Sequence, residues 1–346
     1  MFPYFSVLLS VLFIVFFENK YLRRKAIILP LIILVLLPSL RSNLVGTDSR
    51  TYTLAYDYKY NPYYHGFDPS VEYGYQLLDA FILHFSYNYF WLFFFTSIFV
   101  VTLYMTTIKK LSINYYYSVF IYISFGIYTF FFNGLRQGLA MSICFFCLPY
   151  LIEKRFVSYF IFVFIASLFH ISALVMLPMY FLVNSKFRLE YKVMVCFLIS
   201  MLASQILIGY LAEGNNRYEH YTQEAEKSGG YITLLFYTLI GIFVFALGKK
   251  YRSIDIKFNK FEQIFLCGLA LVLPIALLGT DPSGPQRVLY YFVSTIIFLV
   301  PYILNRFGSS YVNILFIIFS LIYFLLITMR FSNLYPYQIN PIFGIF

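Results

Sequence analysis

The sequence predicts an all-α polytopic membrane protein with about 12 transmembrane helices, and three observations support this fold class. Hydrophobic residues make up 61% of the 346 residues and charged residues only 12%, with a mean hydropathy of +0.76, whereas soluble domains carry roughly 25% charged residues. Apolar runs that can form spanning helices of about 20 residues recur from Phe2 to Met329. Lys and Arg stand in short clusters between these runs, which indicates topology signals and not a nucleic-acid site.

We expect residues 1–346 to form a single transmembrane domain. A basic cluster follows the first apolar run instead of preceding it, which favours a retained helix over a cleaved signal. The stretch 71–86 is too polar to cross the membrane alone and is predicted to be an interfacial or re-entrant helix. The predicted spans are residues 2–17, 26–40, 87–108, 115–132, 139–152, 157–170, 171–184, 193–211, 231–248, 261–278, 288–304 and 311–329.

The distribution of Lys and Arg predicts the orientation of these helices. If Glu18–Lys25 is cytoplasmic, alternation of the spans places most of the 25 Lys and Arg residues inside, as the positive-inside rule requires. Both termini are then outside, together with the four histidines and the two long loops 41–73 and 212–230. Since long loops on a rigid scaffold carry function, the outer loops are predicted to lie over a polar cavity.

Among the arginines that the predicted topology places outside, four are selected as candidates, namely Arg50, Arg136, Arg217 and Arg287. Because a guanidinium binds phosphate oxygens bidentately and stays charged, several of them together would form a diphosphate clamp for an anionic lipid head group. Arg136 lies between two apolar runs with no carboxylate near it in sequence, although it could simply anchor its helix at the interface. Arg287 could instead pair with Asp281.

His170 and Asp48 are the candidates for proton chemistry. A histidine titrates near neutral pH and can act as a general base, so His170 could activate a sugar hydroxyl, with a structural histidine as the alternative. Asp48 is the best carboxylate candidate for a base or a metal ligand. The tyrosine-rich loop 41–73 supplies aromatic rings of the kind that contact sugars, although tyrosine is also common at membrane interfaces.

The sequence predicts no cofactor. The sequence has no Walker A, dinucleotide-binding, G-x-S-x-G or H-E-x-x-H motif, so we predict no cofactor and no metal site. The four cysteines, including the C-x-x-C of Cys144 and Cys147, lie inside apolar runs and are predicted to pack as small hydrophobic residues.

Four short motifs occur in order along the chain. They are G-x-D-x-x-x-Y at Gly46, Asp48 and Tyr52, F-x-N-x-x-R-Q-x-x-A at Phe131, Asn133, Arg136, Gln137 and Ala140, F-H-x-S-A at Phe169, His170, Ser172 and Ala173, and R-x-x-x-Y at Arg287 and Tyr291. Together they resemble the EpsG-type, Wzy-like polysaccharide polymerases. Ser49 and Arg50 directly after the aspartate depart from the usual pattern.

This resemblance implies an activity and a place in the cell. It implies a metal-independent, GT-C-like glycosyltransferase at the outer face of the bacterial inner membrane, with both termini periplasmic. The enzyme would transfer a growing glycan from undecaprenyl diphosphate onto the next lipid-linked repeat unit. The implied partners are undecaprenyl-diphosphate-linked glycans, membrane lipids and, as further candidates, a chain-length regulator and a flippase.

The resulting hypothesis assigns a role to each candidate residue. Arg136 and Arg287 would neutralise the leaving diphosphate, and His170 or Asp48 would orient or deprotonate the acceptor hydroxyl. The predicted residues for binding diphosphate and sugar are Arg50, Arg217, Gln137, Asn133, Tyr52 and Tyr291. Two alternatives stay open: an O-antigen-type ligase, which would yield no ladder of products, and a flippase or transporter of lipid-linked oligosaccharides, although no clear internal repeat supports transport.

Overall fold

The computed structural model describes residues 1–214, 231–277 and 285–343, and these residues form helices joined by turns and loops. They group into two compact units, which are residues 1–148, 161–173 and 309–346 for the first and residues 149–160 and 174–308 for the second. Whether the chain is one transmembrane domain stays a prediction. The α-helices are α1 (Phe2–Tyr21), α2 (Ile28–Ser39), α3 (Ser49–Asp57), α4 (Tyr73–Leu83), α5 (Phe90–Leu111), α6 (Tyr115–Ser124), α7 (Phe130–Asn133), α8 (Leu135–Phe146), α9 (Leu148–Ile152), α10 (Phe156–Ser167), α11 (Leu177–Asn184), α12 (Leu189–Gly214), α13 (Tyr231–Gly248), α14 (Ile256–Leu277), α15 (Leu289–Val293), α16 (Ile296–Phe307) and α17 (Ser310–Leu326).

Several of these helices are long and apolar enough to cross a membrane. Among the described residues, five helices meet this condition, namely α1, α5, α13, α14 and α17 with its extension to Arg330, and a bent pair formed by Pro285–Val293 and Ile296–Phe307 would make six. Shorter apolar helices of 10–17 residues add to them at Ile28–Ser39, Leu135–Phe146, Phe156–Ser167 and Ile171–Asn184. The polytopic all-α class is therefore compatible with the structure, while the number of 12 spans stays a prediction.

The first unit is built around α5, which packs against α2, α6 and α8. The Ser39 hydroxyl at the end of α2 and the Ser97 hydroxyl of α5 lie 3.1 Å apart. The Tyr104 ring of α5 stacks on Tyr122 of α6 at 4.8 Å and on Phe145 of α8 at 4.5 Å between ring centroids. Stacked aromatic rings supply both buried area and a fixed geometry, so these contacts hold α6 and α8 in place beside α5.

The second unit is built around α14, which packs against α11, α12, α13, α15 and α16. Its Glu262 is fully buried and accepts two hydrogen bonds from Arg252, at 2.7 Å from Nε and 3.0 Å from Nη2. Lys192 of α12 donates to the Gln263 side chain at 2.6 Å. Arg252 and Lys192, which the positive-inside rule assigns to the cytoplasm, therefore also have structural partners.

The structure corrects several of the predicted spans. The span predicted at 115–132 is interrupted, because α6 ends at Ser124 and Gly126 adopts a left-handed φ of +73° before α7 begins. The span predicted at 139–152 is divided, because α8 begins at Leu135 and ends at Phe146, and α9 follows as a separate helix. The span predicted at 288–304 is divided between α15 and α16, at a bend of 44°. The predicted span at 231–248 is confirmed as α13.

The predicted outer loop 41–73 and the polar stretch after it both contain helices. Residues 49–57 of the loop form α3, and residues 73–83 form α4, which is separate from α5 as predicted. The side chains of Tyr73, Leu77 and Phe81 are exposed along one face of α4 at a spacing of four residues. Such an outward apolar stripe is typical of a helix lying at a membrane interface, and this position for α4 stays a prediction.

The burial of Asp79 on α4 predicts a dependence of stability on pH. The Tyr56 hydroxyl donates to Asp79 Oδ1 at 2.7 Å, and burial raises the pKa of the Asp79 carboxyl from 3.8 to about 6. The folded protein therefore binds more protons than the unfolded chain between these two values, so the contribution of Asp79 to stability is lost as pH rises from about 4 to about 6.

Replacing Asp79 by Asn should flatten this part of the profile. We expect the thermal unfolding temperature of the Asp79→Asn protein in detergent to depend less on pH between about 4 and 6 than that of the unchanged protein. The same slope in both proteins would contradict the assignment to Asp79.

Candidate functional site

A break between two helices positions Arg136 in the first unit. Gly134 separates α7 from α8, and Arg136 lies in the first turn of α8 with only 5% of its surface exposed. A Cβ atom on Gly138, two residues later, would lie 2.3 Å from the Phe131 Cβ. Because only glycine allows this close approach of α7 to α8, the motif around Arg136 has a structural requirement as well as a chemical one.

Arg136 forms a buried ion pair with Glu72, the residue that precedes α4. Arg136 Nη1 donates to Glu72 Oε2 at 2.7 Å, and the two side chains are 6% and 14% exposed. The other carboxylate oxygen, Oε1, accepts the backbone N–H of Ile171 at 3.2 Å. One carboxylate therefore connects α8, the start of α4 and the turn that contains His170.

A backbone contact keeps α4 and this turn together. The Gly74 N–H donates to the Leu168 carbonyl oxygen at 2.8 Å. A Cβ on Gly74 would lie 2.7 Å from that oxygen, so a larger residue would separate the two segments. Gly74 thus allows the approach that places Glu72 beside Ile171.

Aromatic rings and one unpaired donor complete the environment of Arg136. The guanidinium carbon is 6.0 Å from the centre of the Tyr52 ring and 5.8 Å from that of Tyr75. Burial raises the pKa of Tyr75 well above its ordinary value, so its ring stays neutral. Arg136 Nε is buried and has no hydrogen-bond partner among the described residues. The guanidinium therefore keeps a donor for a further acceptor.

His170 lies in the same neighbourhood, and its hydrogen bonds indicate its tautomer. The Ser172 hydroxyl is 2.7 Å from His170 Nδ1, and the Ser172 backbone N–H donates to the same nitrogen at 3.3 Å. Because a backbone N–H can only donate, Nδ1 is the accepting nitrogen and the proton of the neutral imidazole is on Nε2. In this tautomer His170 carries a hydrogen-bond donor at Nε2, and its role as a general base stays a prediction.

The Asp48 segment is attached to the α7 to α8 turn. The Thr47 N–H donates to the Asn133 side-chain oxygen at 3.0 Å, and the Ser49 hydroxyl donates to the Phe132 carbonyl at 3.0 Å. Gly46 has a φ of +103°, and a Cβ there would lie 2.6 Å from the same Phe132 carbonyl. The motif residues Gly46, Asp48 and Asn133 are therefore brought together, and half-buried Asp48 lies directly before α3.

Arg41 is a feature of this unit that the sequence analysis did not select. Its side chain is fully buried, with the guanidinium carbon 4.2 Å from the Phe93 ring centre and 4.4 Å from that of Phe132. Burial lowers the Arg41 pKa to about 10, which leaves it charged at neutral pH. Its Nε and Nη1 have no hydrogen-bond partner within the described part of the chain. Arg41 therefore adds positive charge close to Phe132 and the Asn133 turn.

The other predicted residues lie in different surroundings. Gln137 is buried in α8, and Tyr52 is half-buried. Arg50 is exposed on α3. Burial raises the pKa of Asp57, and the charge of Arg50 partly offsets this effect. Arg287, in a 3-10 turn, and buried Tyr291, in α15, belong to the second unit. Arg217 and Asp281 lie outside the described residues. The convergence of Arg287 with Arg136 on one ligand stays a prediction.

The cysteines and acidic residues give no metal cluster where the chain is described. All four cysteines are buried free thiols, as the prediction of a packing role requires. Across residues 1–214, 231–277 and 285–343, no group of three His, Cys, Asp or Glu side chains is placed to hold a metal ion.

Sequence reasoning missed Glu72 and Arg41 for different reasons. Glu72 precedes Arg136 by 64 positions, so their pairing has no signature in a single sequence. The sequence feature that could have drawn attention to Glu72 is its position as a single carboxylate directly before the amphipathic helix α4. Arg41 follows the apolar α2 and looks like an ordinary interfacial anchor, because its burial depends on rings from α5 and α7.

Removing the charge of Glu72 should destabilise the fold. Glu72→Gln leaves the Arg136 cation buried without its counter-charge, and losing one partner of a buried pair costs about 3–5 kcal/mol. The matched control is Glu153→Gln, which breaks the exposed pair Arg155–Glu153 at 3.9 Å and should cost about 0–1 kcal/mol. Thermal unfolding in detergent measures both, and equal shifts would contradict the buried pair.

Comparisons with known proteins agree with the motif pattern. The sequence model that defines the EpsG family matches residues 24–339. This range is nearly the whole chain and includes every residue of the site described above. Comparisons with curated proteins and with solved structures give no significant match. Because the match extends over far more than half of the sequence, the chain belongs to the EpsG family.

Proposed function

We propose that the chain polymerises lipid-linked oligosaccharide repeat units on undecaprenyl diphosphate. Family membership indicates a membrane protein of the polysaccharide polymerase type. In the proposed reaction, a hydroxyl oxygen of the incoming repeat unit forms a bond to the anomeric carbon of the growing glycan. The bond from that carbon to the carrier diphosphate breaks, the diphosphate leaves with the electron pair, and the hydroxyl proton passes to a base.

The observation that best supports this proposal is the buried Arg136 with an unpaired Nε. A guanidinium has five N–H donors, and Glu72 uses one of them at 2.7 Å. Arg136 can therefore bind a phosphate oxygen while Glu72 holds its orientation. Donors that are already aligned and shielded from water stabilise negative charge that grows on the leaving group, and one such donor contributes about 2.7–4 kcal/mol.

The neighbouring residues suggest separate roles in proton handling. His170 Nδ1 accepts from Ser172, so we assign His170 the role of orienting the acceptor or donating to an oxygen through Nε2. Both oxygens of Glu72 are engaged, by Arg136 and by Ile171, which makes Glu72 a positioning residue. Asp48 is then the proposed base for the acceptor hydroxyl.

The remaining predicted residues complete the proposal. Asn133, Gln137 and Tyr52 would contact the sugar or the diphosphate next to Arg136, and Arg50 would attract the anionic carrier from its exposed position. Arg287, Tyr291 and Arg217 would contribute to binding the second lipid-linked substrate. Fully buried Arg41 adds positive charge near the same turn, which favours a multiply charged anion.

The setting of the reaction is also part of the proposal. We propose a GT-C-like, metal-independent enzyme in the bacterial inner membrane. We place both termini in the periplasm, because the basic residues follow the positive-inside rule in that orientation. A flippase would supply the lipid-linked repeat units, and a chain-length regulator would limit the product.

The test is a gel of lipid-linked glycans formed from the native repeat unit in liposomes. Arg136→Ala should lower polymerisation about a hundredfold or more, because a donor to the leaving group is lost. Arg136→Lys can keep the ion pair with Glu72 but lacks the planar fork, so it should also lose most of the ladder while retaining more thermal stability. Arg155→Ala, at an exposed position, is the matched control and should give an unchanged ladder.

The products separate this proposal from its alternatives. A normal ladder from Arg136→Lys would contradict the diphosphate clamp. Transfer of the glycan to a different lipid without a ladder would indicate a ligase. Movement of the lipid-linked unit across the membrane with no new glycosidic bond would indicate a transporter.

A further inference from the structure

An apolar cleft lies within the first unit beside the Arg136 site. It has a volume of about 420 Å³, and its walls come from α4, α5, α8 and the residue before His170. This volume lies within the range of about 300–1,000 Å³ that is typical of small-molecule pockets. Its walls include Leu78, Ile98, Phe99, Leu103, Leu139 and Phe169.

The cleft shares three elements with the polar site. Leu139 is three residues after Arg136 on α8, so the two side chains lie on neighbouring positions of one helix face. Phe169 directly precedes His170, and Leu78 is on α4, which begins directly after Glu72. Residues of the cleft and of the polar site are therefore neighbours on α8 and in the histidine turn, and both lie on the segment that contains α4.

The cleft is also elongated along a helix that can span the membrane. Its α5 walls extend from Phe95 to Leu103, a rise of about 12 Å at 1.5 Å per residue. Further along, α5 ends with exposed Lys109 and Lys110. A cleft with this direction suits a linear hydrocarbon chain that enters the membrane from a polar head group.

We propose that this cleft binds the first isoprene units of a polyprenyl carrier whose diphosphate contacts Arg136. This inference rests on the proposed function, because it names the lipid part of the same substrate. The carrier chain is already in hydrocarbon before it binds, so the cleft gains little from removing apolar surface from water. Its benefit is the shape of its walls, which hold the chain so that the anomeric carbon lies at the catalytic residues.

A tryptophan in the cleft tests this assignment against a matched neighbour. Leu78→Trp fills the cleft, whereas Leu77→Trp adds the same ring to a side chain that is 72% exposed and outside it. We expect Leu78→Trp to lower kcat/KM about tenfold for the polyprenyl substrate and to leave kcat/KM unchanged for the same glycan diphosphate on a short straight alkyl chain. Leu77→Trp should match the unchanged protein on both. Equal losses on both substrates, or no loss on either, would overturn the proposal.

Photolabelling tests binding of the polyprenyl chain in the cleft without measuring catalysis. A polyprenyl diphosphate with a photoreactive group on its first isoprene unit should label peptides containing Leu78, Phe99 or Leu139, and excess phosphatidylglycerol should not compete. Labelling of these peptides without any polymer would uphold the cleft and contradict the proposed function. Polymer formation with labelling elsewhere, or full competition by phosphatidylglycerol, would contradict the cleft and leave the proposed function standing.

Discussion

The buried ion pair between Arg136 and Glu72 is the interaction on which the arrangement of the site depends. An arginine inside an apolar helix is expensive unless a counter-charge and hydrogen bonds compensate it. Glu72 supplies both, since one oxygen binds Arg136 and the other binds the Ile171 N–H. A single carboxylate therefore determines where α4, α8 and the His170 turn lie relative to one another.

In the same region, buried positive charge exceeds the negative charge that pairs with it among the described residues. Arg41 is held between the Phe93 and Phe132 rings, where cation–π contacts offset part of its desolvation. It has no ion-pair partner in the described part of the chain, while Arg136 shares a single carboxylate. Two guanidinium groups with unpaired donors favour an anion with several oxygens. Together with the apolar cleft, they support our proposal of an anionic lipid, and not a free sugar, as the ligand.

Sequence reasoning predicted the parts of this site that depend on local pattern. Hydropathy identified the membrane class, and Arg136 was found because an ionisable residue between apolar runs is unusual. The partner Glu72 could not be found this way, because the pair joins positions 64 residues apart. The start of α8 was also misplaced, since it depends on how closely Gly138 lets α7 approach. Contacts between distant segments determine these features, and a single sequence carries little information about them.

The most direct test of this account is a charge exchange between the two partners of the ion pair. The double variant Glu72→Arg with Arg136→Glu restores opposite charges but places a carboxylate where the guanidinium would meet the diphosphate. Thermal unfolding and the glycan ladder are measured on the same preparation. We expect partial recovery of the stability lost in each single variant, because the ion pair is restored but arginine cannot accept the Ile171 N–H, and we expect no ladder. A full ladder from the exchanged protein would show that the pair is only structural and would contradict the role of Arg136 in binding the diphosphate.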